Sequence, residues 1–187
     1  MEKPTIEVIR SDRKTFALQI REGKVILRAP RRATKQQIDA LLEKHSDWIE
    51  KNLKAQSAAD ALPPLTAEDI RVLGEKACAV IPARVAFFAR QIGVTYGRIT
   101  IRNQRSKWGS CTAKGNLNFN CLLMLAPPQV LDSVIVHELC HRKEMNHSPA
   151  FYQEVRRVMP DYDTWNGWLK ENGEALVQRM VNGLSDS

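Results

Sequence analysis

Hydrophobic and polar positions alternate with a strand-like period between Ile6 and Ala29 and then shift to helical spacing. Thr15-Phe-Ala-Leu-Gln-Ile-Arg21 reads as a strand, Glu22-Gly23-Lys24 as a turn, and Val25-Ile-Leu-Arg28 as the returning strand of a hairpin. Thr34 is the expected N-cap of a single helix reaching about Ala59. On it Ile38, Leu41, Leu42, His45, Trp48, Ile49 and Leu53 recur on one side, so His45 and Trp48 are expected to pack. Asp60-Ala-Leu-Pro-Pro-Leu65 breaks the pattern. It divides the chain into 1–62, a hairpin plus helix, and a larger unit over 63–187.

Thr66-Ala-Glu-Asp69 opens the next helix, with acids where the helix dipole favours them. Pro82 is expected to kink or split it, since a mid-helix proline costs about 3 kcal/mol. Gly93 is the expected stop. Arg98-Ile-Thr-Ile-Arg102 alternates as a strand, Arg105 to Cys111 reads as a polar loop, and Leu117 to Leu125 reads as a second strand. Pro127-Pro128 opens a helix whose core face is Val130, Leu131, Val134, Ile135 and Leu139. Short helices are expected over 148–159 and 161–172, the latter ended by Gly173, with a helical tail beyond.

Length and composition add bounds. The 187 residues are 43% hydrophobic, enough for a real core and too much for a disordered chain. No apolar run reaches the ~18 residues that span a bilayer, and the first residues lack a secretory apolar region. The expectation is a cytoplasmic protein with no membrane contact. Cys78, Cys111, Cys121 and Cys140 contain no C-x-x-C pair, so no disulfide framework or cysteine-type zinc site is indicated. The net charge is +7, and from Lys76 to Leu131 there is no Asp or Glu. This basic segment (76–131) sets up a field that attracts anions, nucleic acid among them.

Three of the four histidines fall in Val136-His-Glu-Leu-Cys-His-Arg-Lys-Glu-Met-Asn-His147. On a helix, positions four apart share a face, so His137 and His141 can present two imidazoles to one metal ion. Glu138 can reach water at that ion without ligating it, the arrangement of a zinc helix with a carboxylate general base. A catalytic zinc takes three protein ligands and leaves one position open. His147 is the first candidate for the third ligand. On a continuous helix it would lie about 240° round from His141, so the helix must end first; Asn146 permits an ending and Ser148-Pro149 a new start. Glu144 lies on the same face as both histidines and competes for the role. Arg105 and Lys107 are candidates for contacting substrate charge and Trp108 for a wall of the site.

The stretch from Asn103 to Tyr162 resembles the YgjP-like family of metal-dependent hydrolases, also called YgjP-like metallopeptidases. Trp108-Gly-Ser-Cys111, Leu122, Leu123, His137-Glu-Leu-Cys-His141, Asn146-His-Ser148, Phe151 and Pro160-Asp-Tyr162 carry the match. The resemblance implies an α+β fold: a zincin-like catalytic domain with its HExxH helix packed on a small, mostly antiparallel sheet, plus the N-terminal β-hairpin and helix. It implies Zn2+ on His137, His141 and His147, with Glu138 as base. A more distant similarity is to SprT-type proteases acting on proteins bound to DNA. The expected activity is peptide-bond hydrolysis. The strand 117–125 would pair with an extended peptide. The alternative is a nucleoside triphosphate pyrophosphatase, its nucleotide held by the metal and by basic side chains, since no phosphate-binding G-x-x-x-x-G-K-[ST] loop is present. A nucleic-acid-binding module with a structural zinc is the weaker alternative, because such sites close with four protein ligands.

Overall fold

The computed structural model describes residues 5–21 and 23–185; Glu22, expected in the hairpin turn, lies outside them. The chain forms two compact units, Met1–Pro64 and Leu65–Ser187.

The first unit holds β1 (Ile6–Ser11), β2 (Ala17–Arg21), β3 (Lys24–Pro30), α1 (Lys35–Lys44) and α2 (Ser46–Asp60). The expected hairpin is β2 against β3, antiparallel with Leu18 opposite Leu27. β1 adds in parallel on the other side of β3, with Val8 opposite Leu27. Every second residue of the central β3 is buried (Val25, Leu27 and Ala29), as a strand covered on one face requires. Thr34 forms a capping box with Gln37 at the start of α1. The single helix expected over 34–59 is in fact two. His45 leaves helical dihedrals at φ −109°, ψ 18° and serves as C-cap of α1 and N-cap of α2. No Gly or Pro announces this break. Trp48 is 40% exposed rather than packed.

The second unit is built on α3 (Ala67–Ile92), a 26-residue helix. Thr66 and Asp69 cap it reciprocally, and Gly93 ends it in the left-handed conformation, φ 77°. Pro82 neither splits nor ends it. The proline and Cys78, whose carbonyl loses its helical donor, both lie on the exposed side, where water can serve that carbonyl. On the opposite side Leu73, Ala77, Ile81, Val85, Phe88 and Ile92 are buried and hold the helix on both sides of the proline.

A three-stranded sheet follows, ordered β4 (Ile99–Arg102), β6 (Leu117–Asn120), β5 (Gly109–Cys111). The α+β class is as expected, but the sheet is evenly mixed rather than mostly antiparallel. β4 pairs parallel with β6, and β5 pairs antiparallel with it. The run expected as one strand to Leu125 turns into a 3-10 helix at Cys121–Leu125. The Asn120 side-chain oxygen accepts the Leu122 N–H at 3.1 Å and bends the chain there. Leu117 and Phe119 point into the core, while Asn118 faces the other side of the sheet.

α4 (Pro128–Cys140) packs against α3, α5 (Pro149–Val158), α6 (Tyr162–Ser185) and β5. Its predicted core face is buried throughout. α6 runs unbroken through Gly173. A Cβ at Gly173 would stand 2.9 Å from the Trp108 ring, so the glycine admits that ring instead of stopping the helix. Among the described residues no helix is long and apolar enough to cross a membrane.

Candidate metal centre

α4 ends at Cys140, with His141 as its C-cap at φ −61°, ψ −14°. A tight turn follows, in which Arg142 N–H bonds to the Leu139 carbonyl and Glu144 N–H to the Cys140 carbonyl. Ser148 caps α5 by accepting the Phe151 N–H at 3.2 Å, and Pro149 occupies its first turn. The intervening loop carries His147 back over the end of α4. There His147 Nε2 lies 3.0 Å from His137 Nε2. Ligand atoms of His137, His141 and His147 all fall within 4.8 Å of one another. Phe151, fully buried, lies beneath all three, with ring centroids 4.9, 4.6 and 5.0 Å from His137, His141 and His147.

The outer ring nitrogens of His137 and His141 have partners of their own. His137 Nδ1 is 2.8 Å from the Tyr162 hydroxyl. His141 Nδ1 is 3.1 Å from the Glu144 carbonyl oxygen, which can only accept, so that nitrogen carries the proton and Nε2 keeps its lone pair. Glu144 therefore meets the site through its backbone, and its exposed carboxylate stands outside the histidine cluster. Burial first, then the neighbouring histidines, lowers the His137 pKa to about 4, and burial likewise lowers that of His141. Both are neutral at pH 7, the form that ligates metal. Three imidazoles whose nitrogens converge, two of them oriented by hydrogen bonds on their outer nitrogens, are a donor set that fits one divalent ion.

Glu138 sits on the β5 side of the same helix and is only 6% exposed. Burial raises its pKa to about 7, against the lowering effects of the Lys107 charge and the Cys111 backbone N–H. A carboxyl poised near neutrality can take up a proton and return it. Gly109 makes room for it: a Cβ there would stand 2.6 Å from Glu138 Oε1 and 2.7 Å from Cγ. A glycine inside a strand marks such a close approach.

β4 and β5 are the edge strands, and the strand containing residues 117–120 is the central one, paired on both sides. The expectation that a peptide could pair along 117–125 therefore fails, because that backbone is already engaged. Trp108 O accepts from Asn120 N–H and Thr112 N–H donates to Asn116 O, which turns the backbone groups of Gly109 and Cys111 away from β6; the Cys111 N–H meets Glu138, and the Gly109 groups and the Cys111 carbonyl lie along the outer edge beside it.

The loop before β5 is pinned by Asn120. This buried amide donates to the Gln104 and Lys107 carbonyls at 2.7 and 3.1 Å. Trp108 lines a cleft of about 210 Å3 with Lys107, His137, Glu138 and Tyr162. Lys107 also lines a second, polar cleft of about 520 Å3 that includes Arg102, Ser110 and Asn118. Arg105 is exposed and lines neither cleft. Within the basic segment, Arg84 is taken up by a bidentate contact with Asp132 and lies over the Phe87 and Phe88 rings. Sequence reasoning missed Tyr162 and Asn120 as parts of the site. Their partners are 25 and 13 to 16 residues away along the chain, beyond any local periodicity.

A 58-residue stretch is 36% identical to the UTP pyrophosphatase of Escherichia coli (strain K12), covering 31% of this chain and 35% of that relative. The match thus spans about a third of the relative's length. Two crystal structures of metallopeptidase zymogens are similar in part. Abylysin of Pyrococcus abyssi is 19% identical with a TM-score of 0.44, covering 50% of this chain and 98% of its own. Jannalysin of Methanocaldococcus jannaschii is 22% identical with a TM-score of 0.43, covering 48% and 92%. The family model of the YgjP-like metallopeptidase domain matches residues 14–77 and 65–172, taking in the histidine cluster, Glu138 and the loop that carries Trp108. With most of its length inside that match, the chain belongs to the YgjP-like metallopeptidase-domain family.

Proposed function

We propose that this chain is a zinc-dependent hydrolase that cleaves peptide bonds, with His137, His141 and His147 as the metal ligands and Glu138 as general base. The observation that carries the reading is the free edge of β5 running beside Glu138. An extended peptide added along that edge as a further strand brings its backbone carbonyls past the carboxylate. Zinc suits three imidazoles with one open position, and when bound it supplies Lewis acidity, polarising the group under attack and acidifying water.

The chain's own groups do the rest. Glu138 accepts a proton from the attacking water and passes it to the leaving nitrogen, so the carboxyl ends the cycle as it began. Lys107, close enough to lower the Glu138 pKa, supplies a positive charge beside the developing oxyanion. Tyr162 holds the His137 ring, and with the hydroxyl accepting from Nδ1–H the Nε2 lone pair stays directed at the metal. Trp108 walls the cleft.

A second reading, hydrolysis of a nucleoside triphosphate, is supported by the cationic residues lining both clefts and by the activity of the Escherichia coli relative. In that case the proton held by Glu138 goes to a leaving phosphate oxygen instead of nitrogen.

The test is a paired assay of zinc-loaded protein and Glu138→Gln. One arm offers unfolded proteins, with and without DNA. The other offers nucleoside triphosphates, with pyrophosphate and phosphate release followed. The expected result is peptide cleavage that falls by about 10²–10⁴-fold in the variant at unchanged zinc content. Release of pyrophosphate that depends on Glu138, with no peptide cleavage, replaces the first reading by the second. Full activity of the variant on either substrate removes Glu138 as the base.

A further inference from the structure

The larger cleft lies apart from the histidines, on the polar face of the β4–β6–β5 sheet. Its floor is an ordered chain of side chains. Asn118, pointing away from the core between Leu117 and Phe119, accepts from Arg102 Nε at 3.1 Å and donates to Ser110 Oγ at 3.1 Å. Both partners are thereby oriented. Arg102 keeps its two terminal NH2 groups free, and Ser110, its oxygen already accepting, keeps a hydroxyl proton to donate. Lys107 and Ser106 line this cleft and the catalytic cleft alike, so the two adjoin at those residues. Among the described residues no acidic side chain lines it. Among the described residues neither Arg102 nor Lys107 forms a salt bridge, unlike Arg84, Arg156 and Arg157, which face carboxylates.

We propose that this cleft is a substrate subsite for an oxyanion, a phosphate or a carboxylate carried next to the scissile bond and bound by Arg102, Ser110 and Lys107. The planar guanidinium edge matches two oxygens of such a group, the serine hydroxyl adds a third donor, and Asn118 holds both in place before the ligand arrives. Lys107 lines both clefts, which places the bound anion on the side of the reacting centre. The subsite rests on the His137–Glu138 centre being where hydrolysis occurs and not on which bond is cleaved.

The experiment measures binding to zinc-loaded protein by calorimetry and by proton–nitrogen NMR shifts, separately from turnover. One arm uses inorganic pyrophosphate. The other compares N-acetylglutamate amide with N-acetylglutamine amide. Wild type, Arg102→Gln, Ser110→Ala and Arg105→Gln are titrated alike. Arg105→Gln removes the same charge three residues further on, in the loop after β4 and outside the cleft. The expected result is that Arg102→Gln weakens binding of the anionic probe about tenfold and Ser110→Ala by a few-fold, while Arg105→Gln matches wild type and zinc content is equal in all four. Loss confined to the pyrophosphate arm identifies phosphate as the group held; loss of the preference for glutamate over glutamine identifies carboxylate. Equal weakening by Arg105→Gln reduces the effect to a general positive field and overturns the subsite, as does failure of wild type to bind either anionic probe. Binding that behaves as expected in a protein that hydrolyses nothing leaves an anion site at Arg102 and Ser110 but removes the hydrolytic reading and, with it, the role of that site as a substrate subsite.

Discussion

Substituting Gly109 by alanine tests whether the β5 edge and the Glu138 carboxylate act as one device. The added Cβ would meet Glu138 Oε1 at 2.6 Å, Cγ at 2.7 Å and Cδ at 3.0 Å. An ordinary contact needs about 3.4 Å or more, so the carboxylate or the strand has to move by about 0.8 Å. The carboxylate has little room, being 6% exposed. Crowding of this kind costs about 1–3 kcal/mol of stability, which for a unit of this size lowers the Tm by roughly 3–10 °C. A displacement approaching 1 Å at a reacting group costs up to about 10²-fold in turnover. Gly109 is not among the glycines with positive φ, so an alanine backbone is acceptable and the effect comes from the Cβ alone. Gly167→Ala is the control, a helical glycine with open space around it, expected to leave activity unchanged. Steady-state kinetics, zinc content and thermal denaturation would be measured for Gly109→Ala in wild-type and Glu138→Gln backgrounds. The expected kcat/KM of Gly109→Ala is lower by 10- to 100-fold, with zinc retained and little further loss when the base is already gone. Wild-type turnover in Gly109→Ala, or the same fold loss in both backgrounds, would refute the coupling.

His147→Ala should lower zinc content far more than Glu144→Ala, measured by metal analysis after dialysis against a competing chelator. Glu144 contributes its backbone carbonyl to His141, which alanine keeps; the reverse order would make Glu144 the third ligand. Tyr162→Phe removes the hydroxyl 2.8 Å from His137 Nδ1 and is expected to weaken zinc binding by about tenfold. Unchanged affinity in a chelator titration would show that the hydroxyl does not orient the ring. Glu154 bridges Lys143 and Arg157, and their hydrogen bonds hold its pKa down to about 2 from 4.5. Because the folded pKa is the lower one, the stabilisation is fully present above about pH 4.5 and lost as pH falls towards 2. With both cations about half exposed, its value after screening is about 1 kcal/mol. Urea denaturation of wild type and Glu154→Gln from pH 7 to pH 2 should converge at the acid end, and a constant gap would refute the ion-pair origin.

The helices were legible wherever a cap and an apolar stripe coincided. Thr66 with Asp69, Gly93, and Ser148 with Pro149 mark their ends as local chemistry requires. Several of the failures share one physical source, which is that long-range packing overrides a local signal. Pro82 is tolerated because α3 is held by buried residues on both sides of it. Gly173 resembles a stop but is the surface on which Trp108 lies, 65 residues earlier in the chain. The 105–111 segment resembled a loop because β5 is only three residues long and includes a glycine. The parallel pairing of β4 with β6 depends on a crossover that contains β5 itself, which no alternation of residues can reveal. At the site, the two histidines of α4 and Glu138 were readable because they share one helix. Arg102 and Asn118 were not, because they meet across two strands.

The five-residue gap between His141 and His147 asks for two opposite things. The helix must persist through His141 to keep it on the face of His137, yet stop at once so that His147 can return. Ending α4 at Cys140 with His141 as a helical C-cap meets both demands. The turn that follows is then held by the site itself, since the Glu144 carbonyl it exposes accepts from His141. Phe151 joins the return path to the same centre. It is the residue whose N–H is capped by Ser148, and its ring touches all three imidazoles. Metal affinity should therefore respond to the cap as well as to the ligands. Ser148→Ala forfeits a cap of about 1 kcal/mol, and because α5 positions His147 and Phe151 together, part of that loss should emerge as weaker zinc binding.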